Sequence, residues 1–252
     1  MANYENQPAR YGTSAAGAAG AIDEGLRAHM LRVYNYMLMG LALTGVFALV
    51  TFNLSFQAVG GGQLQYTALG QTLFGSPLMY VIMLAPLGMV FFLSFRIQKM
   101  SVSAAQLTFW AFAALMGVSL ASIFAVYTAT SITQVFFITS ATFGAMSLWG
   151  YTTKRDLTGM GSFLMMGLIG IIIAMVVNMF LQSSALQFAV SVIGVLIFVG
   201  LTAYDTQKIK EMYYAGDGAV VAGRKAIMGA LSLYLDFINL FLMMLRLFGN
   251  RN

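Results

Sequence analysis

Long apolar stretches without charge are the dominant pattern along this chain. Three intervals contain no Asp, Glu, Lys or Arg: residues 33–95, 100–153 and 157–204. A membrane-spanning helix needs about 20 apolar residues, and each interval is more than twice that long. Each interval therefore predicts two spanning helices joined by an uncharged turn.

A seventh apolar segment follows, so the pattern predicts an all-α, polytopic membrane protein with seven transmembrane helices. The predicted spans are residues 33–52, 78–95, 107–127, 135–151, 163–180, 186–204 and 227–245. The uncharged turns fall at the Gly/Gln-rich stretch around residues 60–62, near 129–134 and near 182–184. Residues 1–30 are polar and Gly/Ala-rich, which predicts a flexible cytoplasmic tail before a membrane domain at 31–252.

The last segment allows two topologies. A full crossing puts Arg246 and Arg251 outside, against the rule that basic residues stay in the cytoplasm, whereas a re-entrant segment keeps them inside. No Gly or Pro interrupts residues 230–248, which favours a continuous helix. We expect seven crossings.

Composition agrees with a membrane protein and excludes several kinds of site. Apolar residues make up 60% of the chain and charged residues 8%, whereas a soluble domain has about 25% charged residues. The absence of cysteine excludes disulfides and thiolate metal sites, and a single histidine, His29, excludes a multi-histidine site. We expect no tightly bound cofactor.

The basic residues lie in the segments between the apolar intervals, which assigns those segments and the N-terminus to the cytoplasm. The net charge of +5 therefore reflects membrane topology, and no nucleic-acid partner is expected. The lack of cysteine suits a multi-pass protein of a bacterial inner membrane, whose first partner is the lipid bilayer.

Asp236 is the first candidate functional residue because it lies in the middle of an apolar helix, where an ionisable group is costly. Helical spacing places it on one stripe with Ser232 and Asn239 as supporting polar residues, and with Gly229 and Met243. The alternative is a buried aspartate that only links helices by hydrogen bonds.

Asp205 is the second candidate and lies at the end of the sixth span. A solvated ion pair with Lys208, one turn later, is the alternative role. Asp205 and Asp236 lie about 10 Å and about 13 Å into their helices, so adjacent antiparallel helices would place both at one level. Two carboxylates at close range titrate as a unit, which predicts a proton sensor and a weak, transient Ca²⁺ site.

Two motifs resemble the Bax inhibitor family, the transmembrane Bax-inhibitor-motif proteins. One reads Tyr-Asp-Thr-Gln-Lys-Ile-Lys at 204–210, and the other reads Ala-Leu-Ser-Leu-Tyr-Leu-Asp-Phe-Ile-Asn-Leu-Phe at 230–241. The similarity in hydropathy covers about residues 25–249. The resemblance implies a seven-helix bundle whose last helix is central.

The same resemblance implies a pH-sensitive calcium leak, in which an aspartate pair is the sensor and an arginine of the second helix is its latch. The motifs assign the aspartates to Asp205 and Asp236, and the place at the end of the second helix assigns the latch to Arg96. Anchoring at the membrane surface is the other role open to Arg96. Some relatives carry an acidic residue in the second helix, whereas residues 81–95 contain none.

Two functions follow as hypotheses. One is a leak channel for Ca²⁺, gated by protons through the aspartate pair. The alternative is a membrane interaction protein, since some bacterial members of the family are linked to control of a membrane protease. An intramembrane aspartyl protease is disfavoured because Leu233-Tyr234-Leu235, not Gly-x-Gly, precedes Asp236, and we expect no enzyme activity.

Overall fold

The computed structural model describes the backbone of residues 12–59 and 63–252 and the side chains of residues 24–59 and 64–252. Seven long apolar helices are present, as predicted, and the chain is an all-α polytopic membrane protein. They are α1 (Gly12–Ser55), α3 (Leu78–Arg96), α4 (Val102–Leu120), α6 (Ala129–Thr152), α7 (Thr158–Leu181), α8 (Ser184–Glu211) and α9 (Ala219–Phe248). The smaller elements are β1 (Phe56–Val59), β2 (Gln63–Tyr66), α2 (Ala68–Phe74) and α5 (Ile123–Val126).

Hydroxyl side chains define where several helices begin. Ser101, Thr128 and Ser183 have extended backbones and accept hydrogen bonds from backbone N–H groups in the first turns of α4, α6 and α8. These caps satisfy donors that a helix leaves free at its start. Gln182 ends α7 in the left-handed region, with φ of 48°, so a very short turn connects α7 to α8.

The structure differs from the predicted boundaries in three places. Helix α1 starts at Gly12, so the predicted boundary at residue 30 falls inside it, and His29 and Met30 are buried. Residues 1–11 lie outside the described residues, and the flexibility of the tail stays a prediction. The loop after α1 contains the antiparallel β1–β2 hairpin, and the predicted span 107–127 is broken at Ala121 and Ser122.

Helix α9 is the centre of the bundle, as the resemblance implied. It packs against α1, α4, α6 and α8, whereas α3 packs mainly on α4 and α7 mainly on α8. Leu233, Tyr234 and Leu240 of α9 have no exposed surface. Because transmembrane helices associate mainly through close packing, a helix that packs on four others forms the core of the bundle.

The bundle has two unlike ends. We call the end formed by residues 97–101, 153–157 and 212–218 the basic end, because the lysines and arginines between the apolar intervals lie there. Several of these side chains fasten the loops: Arg224 donates to the Met100 carbonyl, and Lys210 to that of Tyr151, each at 2.8 Å. We call the other end, with the β1–β2 hairpin and α5, the hairpin end.

Contacts of the last residues decide between the two topologies that the sequence allowed for the final segment. The backbone N–H of Thr128 donates to the backbone carbonyl of Asn250 at 3.0 Å. The backbone N–H of Asn252 donates to the backbone carbonyl of Val126, also at 3.0 Å. The C-terminus therefore lies at the hairpin end, beside the turn that starts α6. Helix α9 crosses fully, and the expectation of seven crossings is confirmed.

Candidate functional site

Asp205 of α8 and Asp236 of α9 meet in the interior of the bundle. Their carboxyl groups lie within hydrogen-bonding reach of each other. Asp236 is 6% exposed, and its Oδ2 is buried with no hydrogen-bond partner among the described residues. A buried carboxylate oxygen without a hydrogen-bond donor destabilises the folded state. A proton bound by either carboxyl group would therefore change the energy of the contact between Asp205 and Asp236.

The packing of α8 against α9 explains why the two aspartates meet. The Lys225 ammonium donates to the Met212 carbonyl at 2.9 Å, which fixes the register of the two helices at the basic end. Further along, the space at Gly194 is filled by Met243. Between these contacts the antiparallel helices place Asp205 opposite Asp236.

Asp205 forms the accessible side of the pair. It is half-buried and lies six residues before the end of α8, about 9 Å along the helix axis. Lys208 acts on Asp205 through its charge, but its ammonium lies over the Tyr204 ring, 5.8 Å from the centroid, and no ion pair with Asp205 forms. The alternative of a simple ion pair at a helix end therefore does not describe Asp205.

Ser232 and Asn239 lie beside Asp236 on the least buried face of α9, which also carries Leu235. The Asn239 amide donates to the Leu235 carbonyl at 2.8 Å, one turn earlier on the same helix. The structure therefore places both supporting residues near the pair but does not show either side chain bonded to a carboxylate.

Arg96 lies apart from the pair in this conformation. Its side chain is exposed at the end of α3, and no carboxylate of the described residues is within 4 Å of its guanidinium. Because α3 packs mainly on α4, which lies between it and much of the core, the helix that carries Arg96 is peripheral. The structure thus brings together the two aspartates without the predicted latch.

A chain of hydroxyls next to the pair was not predicted from the sequence. Tyr34 of α1 and Ser147 of α6 are hydrogen-bonded at 2.6 Å, and Ser147 is 2.9 Å from the Thr206 hydroxyl of α8. Thr206 follows Asp205 directly. Hydroxyls in apolar helices commonly bond across helix interfaces, which is the signal that could have identified this chain.

The oxygen ligands at the site are few. Calcium takes six to eight oxygen ligands, whereas the site offers two carboxylates and an Asn239 amide turned towards its own backbone. No group of three or more acidic, His or Cys side chains clusters among the described residues. This donor set suits brief contact with a passing cation better than retention of one.

Comparison with known proteins covers nearly the whole chain. Residues 26–252 match the family model described as "Inhibitor of apoptosis-promoting Bax1". An uncharacterized protein of Rickettsia prowazekii is 52% identical over 229 residues, covering 91% of this chain and 92% of that protein. The inner membrane protein YbhL of Escherichia coli is 47% identical over 230 residues, with coverage of 90% and 93%. These matches extend well beyond the two motifs near the C-terminus.

Proposed function

Since the chain belongs to the Bax inhibitor family, we propose that it is a proton-sensitive cation leak of a bacterial inner membrane, with Ca²⁺ as the permeating ion. The observation that carries this proposal is the contact between Asp205 and Asp236. The likeness to an inner membrane protein supports the location. The basic end then faces the cytoplasm, together with the N-terminus.

Protons act on the proposed sensor through the repulsion within the pair. Two unit charges 4 Å apart repel by about 4 kcal/mol at an effective dielectric constant of about 20. A proton held between the two carboxyl groups replaces this repulsion with a hydrogen bond. Because one partner lies on α8 and the other on α9, the protonation state changes the attraction between the two helices.

The packing around the pair supports a closed conformation. Asp205 faces the basic end, whereas the core beyond Asp236 is filled by apolar side chains such as Leu240 and Met244. A cation entering from the basic end meets the carboxylates first and the apolar layer second. Opening then requires α9 to shift against its neighbours, and a weakened contact with α8 lowers the cost of that shift.

Calcium is the proposed permeating ion and not a resident ligand. Weak binding at Asp205 and Asp236 lets an ion enter and leave, whereas a complete oxygen cage would hold it. Arg96 has no part in the closed contact described above, so its latch stays a separate hypothesis. An Arg96→Gln variant tests that hypothesis without altering the pair.

The test is Ca²⁺ entry into dye-loaded liposomes across the neutral pH range. Wild type is expected to show pH-dependent flux, and Asp205→Asn and Asp236→Asn are each expected to lose most of that dependence. Asp156→Asn is the matched control because its carboxylate is exposed and outside the bundle. Flux with the same pH profile in all four proteins, or no flux above empty liposomes, would reject the proposal.

A second candidate function is an interaction protein that controls a membrane protease. Exposed apolar side chains at the basic end favour it: Tyr214, Val220 and Val221 are 67%, 49% and 42% exposed. A protease that co-purifies with wild type but not with a Tyr214→Ser, Val220→Ser variant, in the absence of ion flux, would support this function. The aspartates would then link helices only.

A further inference from the structure

A long groove separates α1 from α6 on the outer surface of the bundle. It has a volume of about 900 Å³, within the range of ligand pockets, and Phe237 of α9 forms part of its floor. Exposed apolar side chains such as Leu38 and Leu148 line its edges. Since such edges face lipid in a membrane protein, the groove opens to the bilayer.

Two glycines show that the groove is a real gap between helices. Gly45 of α1 and Gly144 of α6 both line it, and a Cβ added at either would meet no described atom within 4 Å. By contrast, a Cβ at Gly40 would contact Phe109 of α4, and one at Gly150 would overlap Ala203 of α8. Each helix therefore packs tightly on its other neighbours, whereas α1 and α6 are bridged across the groove by the Tyr34–Ser147 hydrogen bond and leave space around Gly45 and Gly144.

The end of the groove nearest the basic end is positively charged. Arg27 lines it, is exposed, and has no carboxylate within 4 Å among the described residues. Tyr151 also lines this end, and the Lys210 ammonium lies 5.3 Å from the centroid of its ring. No Asp or Glu of the described residues lines the groove. Its charge therefore complements an anionic headgroup.

The groove is long enough to hold an acyl chain of one lipid leaflet. The groove follows α1 from Arg27 to Gly45, about 27 Å at 1.5 Å per residue. The hydrocarbon core of a bilayer is about 30 Å thick, so an acyl chain of one leaflet covers about half of it. A headgroup at Arg27 thus leaves room for a full acyl chain along the apolar walls.

We propose that this groove binds an anionic phospholipid of the surrounding bilayer. One acyl chain lies between α1 and α6, and the phosphate group binds Arg27, while the Lys210 ammonium behind Tyr151 adds positive charge to that end. Basic pockets between transmembrane helices commonly bind anionic headgroups, and here an apolar channel continues from the basic end. The occupant is a phospholipid and not a soluble anion, because most of the groove surface is apolar and faces lipid.

The experiment is native mass spectrometry of the full-length protein, titrated with phosphatidylglycerol or phosphatidylcholine in detergent. Wild type is expected to bind phosphatidylglycerol at least about tenfold more tightly than phosphatidylcholine. Gly45→Leu and Gly144→Leu fill the groove and are expected to lose the bound lipid. Gly170→Leu is the matched control, because a Cβ there also meets open space but Gly170 of α7 is outside the groove.

Arg27→Gln separates headgroup recognition from chain binding and does not touch the helix packing. It is expected to reduce the preference for phosphatidylglycerol to about threefold or less while lipid remains bound. Equal retention by Gly45→Leu, Gly144→Leu and Gly170→Leu would show bulk lipid only and overturn the proposal. Equal affinity of wild type for both lipids would overturn it as well.

Discussion

At the scale of single residues, Tyr234 shows how the central helix is held. Its ring meets Phe109 and Phe112 of α4 edge-on, at centroid distances of 6.1 Å and 5.1 Å. Its hydroxyl is 2.7 Å from that of Thr44 in α1, which donates to the Ala113 carbonyl. One side chain thus joins α9 to two neighbouring helices two residues before Asp236.

Substitution of Tyr234 separates its ring from its hydroxyl. Tyr234→Phe removes one interhelical hydrogen bond, which in membranes contributes about 0.6 kcal/mol on average, so a small loss of stability is expected. Tyr234→Ala also leaves a cavity and is expected to cost about 3–5 kcal/mol. Unfolding in mixed micelles measures both, with the exposed Tyr214→Phe as control. Equal stability of Tyr234→Ala and wild type would contradict this role.

Asp156 gives a second prediction at this scale, outside the membrane-spanning segments. Hydrogen bonds from the Thr158 hydroxyl and the Thr158 N–H, the latter at 2.8 Å, lower the pKa of the Asp156 carboxyl. The ionised form therefore stabilises the start of α7 above the ordinary pKa, and this stabilisation is lost as pH falls through the lowered value.

Asp156→Asn is expected to reduce the decline of melting temperature with acidification between about pH 5 and pH 3. The effect is small because the carboxyl is exposed. Melting in detergent at a series of pH values measures it, with Asp217→Asn in the 212–218 loop for comparison. Parallel curves for wild type and Asp156→Asn would contradict the expectation.

At the scale of elements, small residues determine which helices touch. Gly150 lets α6 approach the backbone of α8 at Ala203, close to the bond between Ser147 and Thr206. Gly144, six residues earlier on α6, faces the open groove. The same residue type therefore makes a tight contact on one side of α6 and a gap on another.

Alanine substitutions distinguish these two glycines. Gly150→Ala forces its Cβ into the Ala203 carbonyl and is expected to cost about 1–3 kcal/mol. Gly144→Ala is the matched control and is expected to leave the melting temperature unchanged or higher, because its Cβ enters open space. Similar losses in both variants would show that the contact at Gly150 is not specific.

At the scale of the whole molecule, the C-terminus sets the topology. Arg251 forms an isolated antiparallel β-bridge with Tyr127. Its guanidinium lies over the Tyr127 ring, 6.0 Å from the centroid. The backbone N–H of Asn250 donates to the Ser131 hydroxyl at 2.8 Å. These contacts hold the basic C-terminal residues at the hairpin end, against the charge rule that applies to the other loops.

Single cysteines test this topology directly, because the chain has none of its own. Lys154→Cys marks the basic end and Arg251→Cys the hairpin end. A membrane-impermeant maleimide is expected to label them from opposite sides of sealed inner-membrane vesicles, and cysteine-free wild type is the control. Labelling of both from one side would show that α9 does not cross.

Hydropathy and charge along the chain were sufficient to predict the number of spanning helices. In particular, the turn at residues 182–184 was predicted because apolar spacing reports helix length without any tertiary contact. The family followed from motifs around Asp205 and Asp236, and the match over residues 26–252 confirmed it. The meeting of these two aspartates was also predicted, since their depths in consecutive antiparallel helices are similar.

Only the tertiary structure decided how the helices are arranged around α9. The charge rule and helix continuity disagreed about the last segment, and the contacts of Asn250 and Asn252 resolved it. The exposed position of Arg96 and the groove at Gly144 were not predictable either, because they depend on which helices become neighbours. Apolar residues occupy nearly every face of a membrane helix. The sequence pattern therefore does not distinguish the side that faces lipid from the side that packs on protein.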